Sequence, residues 1–250
     1  MANVVIVTGA SGGIGSAIAK KFGETGAKVV VHYNRSAADA DAVAKEINKG
    51  PGEAMTYKAD VRNYEEIRAM VQATIAKWGR IDVLVNNAGG SKSDIREGGL
   101  PAWEIKEEVW DTVLDINLKG NFLCTKAVAP YMIEQKGGYI INMSSGMGLQ
   151  GKKGSSAYSA AKAGIIGFTK AVARELGDYN VKVNVILPGM IRHKNIINEN
   201  RRSEEDVEAY KRAAVLHRTG TPEELAATVV HITTLQNISG QTIKLDSTIY

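Results

Sequence analysis

The sequence holds one cysteine, Cys124, among 250 residues. An internal disulfide is excluded, and a reducing, cytoplasmic setting is the simplest one. Histidine is almost as scarce: His32, His193, His217 and His231. No two stand at metal-ligand spacing, so no metal site is expected. Long apolar runs are missing, and none approaches the ~20 residues of a membrane span. The start, Met1-Ala2-Asn3-Val4, has no basic region and no cleavage site, so it does not read as a signal peptide. Blocks of like charge are missing as well. The net charge of +4, from 31 basic and 27 acidic residues, is mild and scattered, which argues against a nucleic-acid partner. No internal repeat and no linker marks a second domain.

What is present is ordinary for a globular protein: 44% hydrophobic and 23% charged residues. The length suits one large α/β domain over residues 1–250. Short runs rich in Val and Ile read as strands: Val4–Val7, Val29–Val31, Ile81–Val85, Tyr139–Asn142, Val181–Ile186 and Thr242–Leu245. Between them, helical patterns cover Ile14–Thr25, Ala37–Asn48, Tyr64–Trp78, Glu107–Gln135, Ser156–Leu176 and Pro222–Leu235. Such alternation predicts a doubly wound, Rossmann-type parallel sheet with helices on both faces. Residues 190–218 break the rhythm with many charges and no strand, so this stretch is expected to be a lid over a substrate.

Thr8-Gly9-Ala10-Ser11-Gly12-Gly13-Ile14-Gly15 lies between the first strand and the first helix. Glycines there let the chain turn tightly and let a pyrophosphate approach the helix N-terminus. Tyr158 and Lys162 are spaced i, i+4, on one side of a helix. A free tyrosine has a pKa near 10 and is a poor acid or base at neutral pH, and a neighbouring ammonium corrects that by stabilising phenolate. After the second strand the chain reads Tyr33-Asn34-Arg35, with no carboxylate to repel a 2′-phosphate. Arg35 can pair with that phosphate, which favours NADP(H) over NAD(H).

The glycine spacing, Asn86-Asn87-Ala88-Gly89, Asn117, Ser145, Tyr158-x3-Lys162 and Pro188-Gly189 together resemble the short-chain dehydrogenase/reductase family. The resemblance implies an enzyme that binds NAD(P) across the strand C-termini and interconverts a ketone and a secondary alcohol by hydride transfer. It implies a cofactor site of Gly9, Ser11, Gly13, Ile14 and Gly15, with Asn34 and Arg35, Asp60 and Val61 near the adenine, Asn87, Ala88 and Gly89, and Pro188 and Gly189, together with Tyr158 and Lys162. It assigns general acid/base work to Tyr158, the substrate oxygen to Ser145 rather than Ser144, and a water-holding helix kink to Asn117. Within the family the chain is most similar to 3-oxoacyl-(acyl-carrier) reductases, with sugar and general carbonyl reductases almost as close. Lys136 matches a position used to meet the acyl carrier, and Tyr179 replaces another.

Three departures stand out. His193 replaces the usual threonine four residues after Gly189, and Asp246-Ser247-Thr248 replaces Asp-Gly-Gly. The stretch from Gly89 to Asn117 is long and carries Trp103, either a wall of the substrate pocket or a local core anchor. The competing readings are a sugar dehydrogenase on the same site and a non-catalytic dinucleotide sensor. A sensor would have lost Tyr158 or Lys162. Only residues 189–250 follow Pro188, too few for the substrate domain of related epimerases. Apolar residues on several faces of the two long helices, with the resemblance, imply a homotetramer acting on a small carbonyl or alcohol.

Overall fold

A computed structural model describes residues 3–90, 99–192 and 204–249. The strands are β1 (Val4–Val7), β2 (Lys28–Tyr33), β3 (Glu53–Lys58), β4 (Val83–Asn86), β5 (Gly138–Met143), β6 (Val181–Pro188) and β7 (Thr242–Leu245). They form one single-domain sheet in the order β3-β2-β1-β4-β5-β6-β7, every pairing parallel. The chain winds outward from β1 to β3 and then crosses back to β4 on the other side of β1. The strand order therefore reverses between β1 and β4, and the crevice of a doubly wound sheet opens at their C-terminal ends.

Successive strand residues point to opposite faces, and both faces are buried. Val5, Val7, Val29 and Val31 pack under α1 (Gly13–Glu24), α2 (Ala37–Ile47) and α9 (Pro222–Ile232). Ile6, Val30, Leu84, Ile140 and Val183 pack under α3 (Tyr64–Trp78), α5 (Gly120–Gln135) and α7 (Ser156–Gly177). The remaining helices are α4 (Glu107–Leu114), α6 (Met147–Gln150) and α8 (Glu204–Ala213). Among the described residues, no helix is long and apolar enough to cross a membrane.

Two differences between the sequence patterning and the structure bear on the layout of the sheet and the site. Strand β3 is absent from the expected set. It is an edge strand with charged ends, and only Ala54 is fully buried, so it carries neither an apolar run nor alternation. The helix expected over Glu107–Gln135 is broken by a π-helical turn at Asp115–Lys119. Asn117 lies at its centre, fully buried, and its Nδ2 donates to the Val113 carbonyl. A π-bulge inside an α-helix is often a functional feature.

Candidate active site

The first glycine turn is held from three sides. Gly9 adopts φ +66°, and a Cβ there would sit 3.0 Å from Ala88 Cα. Thr8 Oγ1 accepts from the backbone N–H groups of Asn87 and Ala88, each at 2.9 Å. The Asn87 amide nitrogen donates back to the carbonyls of Thr8 and Gly9. Asn87 thus spends its side chain joining the two signature loops, while Ala88 and Gly89 border the crevice. A Cβ at Gly15 would lie 2.3 Å from the Gly9 carbonyl oxygen, so only glycine lets α1 begin this close to the turn.

The start of α1 differs from those of α3 and α9. Asn63 caps α3, followed by Glu65 and Glu66, and Thr221 and Glu224 form a full capping box on α9. At α1 the N-cap is Gly12, with no side-chain cap and no acidic residue in the first turn. Its first N–H groups and positive dipole end are left for an anion. Ser11, Gly13 and Ile14, all half-buried, surround that end. A dinucleotide pyrophosphate fits these residues.

Farther along the crevice, Asn34 and Arg35 are exposed just beyond β2. Asp60, beyond β3, accepts from Arg62 through both carboxylate oxygens, with its shortest contact 2.6 Å from Nη2. Arg62 first, with Asn34 as a smaller contributor, holds this carboxyl below the usual aspartate range, so Asp60 is ionised. Val61 is buried against Gly120 at the start of α5.

On the other side of the switch point, β5 and α7 bring the acid/base candidates together. The Lys162 ammonium lies 5.4 Å from the centre of the Tyr158 ring. Lys162 is 4% exposed, and its Nζ donates to the Met143 carbonyl at 3.0 Å. Burial pushes its pKa down from 10.5 to about 8. The two serines part company here. Ser144 is buried and its hydroxyl donates to the Lys162 carbonyl at 2.7 Å, so it fastens β5 to α7. Ser145 is half-buried and accepts only a long 3.3 Å contact from the Met147 N–H. Gly148 of α6 seals this corner, because a Cβ there would fall 2.7 Å from the Lys162 carbonyl carbon.

Asn117 Oδ1 accepts from the Gly90 N–H at 2.9 Å, and its main-chain carbonyl accepts from Asn121 Nδ2 at 2.7 Å. The side chain thereby fixes the loop after β4. A Cβ at Gly89, itself at φ +140°, would meet Asn117 Oδ1 at 2.6 Å.

Pro188 ends β6, and a Cβ at Gly189 would strike the Tyr210 hydroxyl and the Asp246 carboxyl. Tyr210 donates to Asp246, which also accepts from Thr248. Asp246, the retained first residue of the otherwise altered C-terminal triplet, therefore anchors α8. A cavity of about 310 Å³ lies beside this anchor, lined by Ile191, Tyr210, Leu216, Lys244 and Asp246 among others, and it includes none of Ser145, Tyr158 and Lys162. His193, Ile196 and Ile197 of the expected lid lie outside the described residues. Within its described part, Ile191 and Val207 are buried while Val215 and Leu216 are exposed. Trp103 is 84% exposed and anchors no core. Lys136 and Tyr179 are both exposed, and Asn180 Nδ2 donates to the Lys136 carbonyl.

The structure gives roles to residues that the sequence reading had not placed in the site: Thr8, His32, Arg62, Asn121, Ser144 and Gly148. Thr8, His32, Ser144 and Gly148 act through contacts distant in sequence, whereas Arg62 and Asn121 act on Asp60 and Asn117, two and four residues away. Among the described residues, no group of three or more His, Cys, Asp or Glu side chains could hold a metal ion.

The short chain dehydrogenase family profile matches residues 3–205. A 3-oxoacyl-(acyl-carrier-protein) reductase of Synechocystis sp. is 44% identical over 248 residues, covering 98% of this chain and 96% of the relative. The 3-oxoacyl-(acyl-carrier-protein) reductases of Thermotoga maritima and Staphylococcus aureus are each 37% identical. These alignments cover 97% and 100% of this chain, and 96% and 99% of the two relatives.

Proposed function

The chain belongs to the short-chain dehydrogenase family, and on that premise we propose that it reduces a 3-oxoacyl thioester to the secondary alcohol with NADPH. The observation that carries the reading is the buried Lys162 ammonium beside the Tyr158 ring. When bound, the nicotinamide supplies the hydride. Tyr158 gives its proton to the carbonyl oxygen, and the adjacent ammonium stabilises the phenolate left behind. Ser145, whose hydroxyl is not committed as that of Ser144 is, holds the substrate oxygen. Asn117 positions the β4 loop and the π-turn next to α7. Gly9, Ser11, Gly13, Ile14 and Gly15 take the pyrophosphate, Asp60, Val61, Ala88 and Gly89 flank the adenosine, and Pro188 and Gly189 border the nicotinamide. The substrate class follows the names of the relatives. The deciding experiment is a cofactor-consumption screen against β-keto thioesters, simple ketones and sugars. Fastest turnover on the thioester supports the reading. Turnover on sugars alone would make it a sugar dehydrogenase, and dinucleotide binding without turnover would make it a sensor.

NADPH is the expected cofactor because no acid ends β2 and Arg35 follows it. The kcat/KM for NADPH should exceed that for NADH several-fold, and Arg35→Ala should shrink the ratio. A clear NADH preference in the unmodified protein would refute the phosphate role of Arg35.

A cytoplasmic homotetramer is the proposed state. Trp110 of α4 and Phe122 of α5 are large apolar groups left exposed, and Ala160, Ala163 and Gly167 form an exposed small-residue face on α7. Light scattering should report four 26.8 kDa chains at micromolar concentration, and a monomer would sink the proposal.

Residues 190–218 are the proposed cover of the substrate, since the chain leaves β6 at the crevice edge. Its described C-terminal part is tied down: Tyr210 bonds Asp246, and the Val215 N–H donates to the Ser247 carbonyl. Hydrogen exchange should show 204–218 already protected in the free protein. Adding cofactor and substrate should raise protection within 190–218. No gain anywhere in 190–218 would make it scaffold.

A further inference from the structure

Among the buried titratable groups, His32 is one that the chemistry leaves unused. It is the penultimate residue of β2 and is 2% exposed. Its Nδ1 accepts from the Gly9 N–H at 2.9 Å, and its Nε2 lies 2.9 Å from the Ala59 carbonyl oxygen. A backbone N–H can only donate and a carbonyl can only accept, so these partners fix the tautomer. The proton sits on Nε2 and Nδ1 is bare. Burial pushes the imidazole down to about 4, so it is neutral near pH 7. The His32 main-chain carbonyl also accepts from the Ala10 N–H at 2.8 Å. One residue therefore grips two successive N–H groups of the glycine turn and the exit of β3, immediately before Asp60.

We propose that His32 is a positioning residue for the dinucleotide, its Nδ1 holding the Gly9 peptide in the orientation that the pyrophosphate turn requires. The inference rests on the cofactor reading of that turn. Gly9 is at φ +66°, and glycine crosses readily between positive and negative φ. Left unheld, its peptide would sample other orientations, and binding would have to order it. The bonds of His32 run to Gly9, Ala10 and Ala59 around the glycine turn, so the effect belongs in cofactor affinity and not in the chemical step.

Two amides separate this role from simple packing. In His32→Asn the side-chain oxygen stands near the place of Nδ1 and can accept from Gly9. In His32→Gln the amide nitrogen stands near the place of Nε2 and can donate to Ala59, leaving Gly9 unheld. NADPH binding is measured by titration on variants whose thermal unfolding has been recorded. The expected result is a Kd within ~3-fold of the unmodified protein for Asn. For Gln the Kd should rise by ~10-fold, the effect of one hydrogen bond, with kcat at saturating NADPH unchanged. Equal Kd values for Asn and Gln would overturn the proposal. So would losses of kcat that simply track lost stability. Failure of the unmodified protein to bind any dinucleotide would instead sink the cofactor reading, and the inference with it. Should neither variant fold, hydrogen exchange in the unmodified protein decides. The Gly9 amide should be protected before NADPH is added, and protection arising only on binding would contradict a pre-set turn.

Discussion

Tyr158→Phe should lower kcat at least ~100-fold, the lower range for one acid/base group, while the protein folds and binds NADPH as before. Deleting the hydroxyl leaves the ring in place over the Lys162 side chain, so packing around α7 is kept. It removes the phenol that the neighbouring ammonium would support as phenolate. Steady-state kinetics with a cofactor titration checks both halves. Turnover within a few-fold of normal in the Phe variant would take tyrosine out of the mechanism.

Lys162→Met should reduce turnover by a similar factor and yet leave the fold as stable or more stable. In the unfolded chain this lysine titrates near its ordinary 10.5, and in the fold burial brings it to about 8. Between those values the unfolded chain holds the proton more tightly, so stability rises with pH through that window. Below pH 8 the full penalty is present: at about 1.4 kcal/mol per pH unit, the move from 10.5 to about 8 costs on the order of 3 kcal/mol. Methionine removes that cost and gives up one hydrogen bond to Met143, worth about 1 kcal/mol. Thermal unfolding at pH 7 should therefore show an unchanged or raised Tm, and a fall of several degrees would refute the penalty. The same titration predicts that kcat/KM for reduction declines above about pH 8. There the ammonium is lost and the phenolate left by proton donation loses its support.

The fold and the reacting groups were legible to different extents, for physical reasons. Strands β1, β4, β5 and β6 are buried on both faces and announce themselves as Val/Ile runs, whereas β3 packs at the edge and does not. The i, i+4 pair of Tyr158 and Lys162 is local, so spacing alone puts it on one helix face. The resemblance, and not local patterning, pointed to a helix kink at Asn117, which centres the π-turn that interrupts the expected helix. The supports were not legible. Ser144 reaches across 18 residues, His32 across 23 to Gly9 and 27 to Ala59, and Thr8 across 79 to Asn87. Such contacts exist only after the sheet has brought β1, β2 and β4 side by side and α7 has packed against β5. Trp103, read from the sequence as a pocket wall or a core anchor, is 84% exposed, which removes the anchor.

The central claim is that this chain moves a hydride to a carbonyl carbon while Tyr158 moves a proton to its oxygen. It is tested most directly by running the reduction with NADPH deuterated at the transferable position and examining the alcohol by mass spectrometry and NMR. The account predicts one deuterium on the carbinol carbon per NADPH consumed, and at least ~100-fold less labelled alcohol when Tyr158→Phe replaces the unmodified protein for the same time. An alcohol whose carbinol hydrogen comes from solvent, or labelled alcohol formed equally fast by the Phe variant, would contradict it.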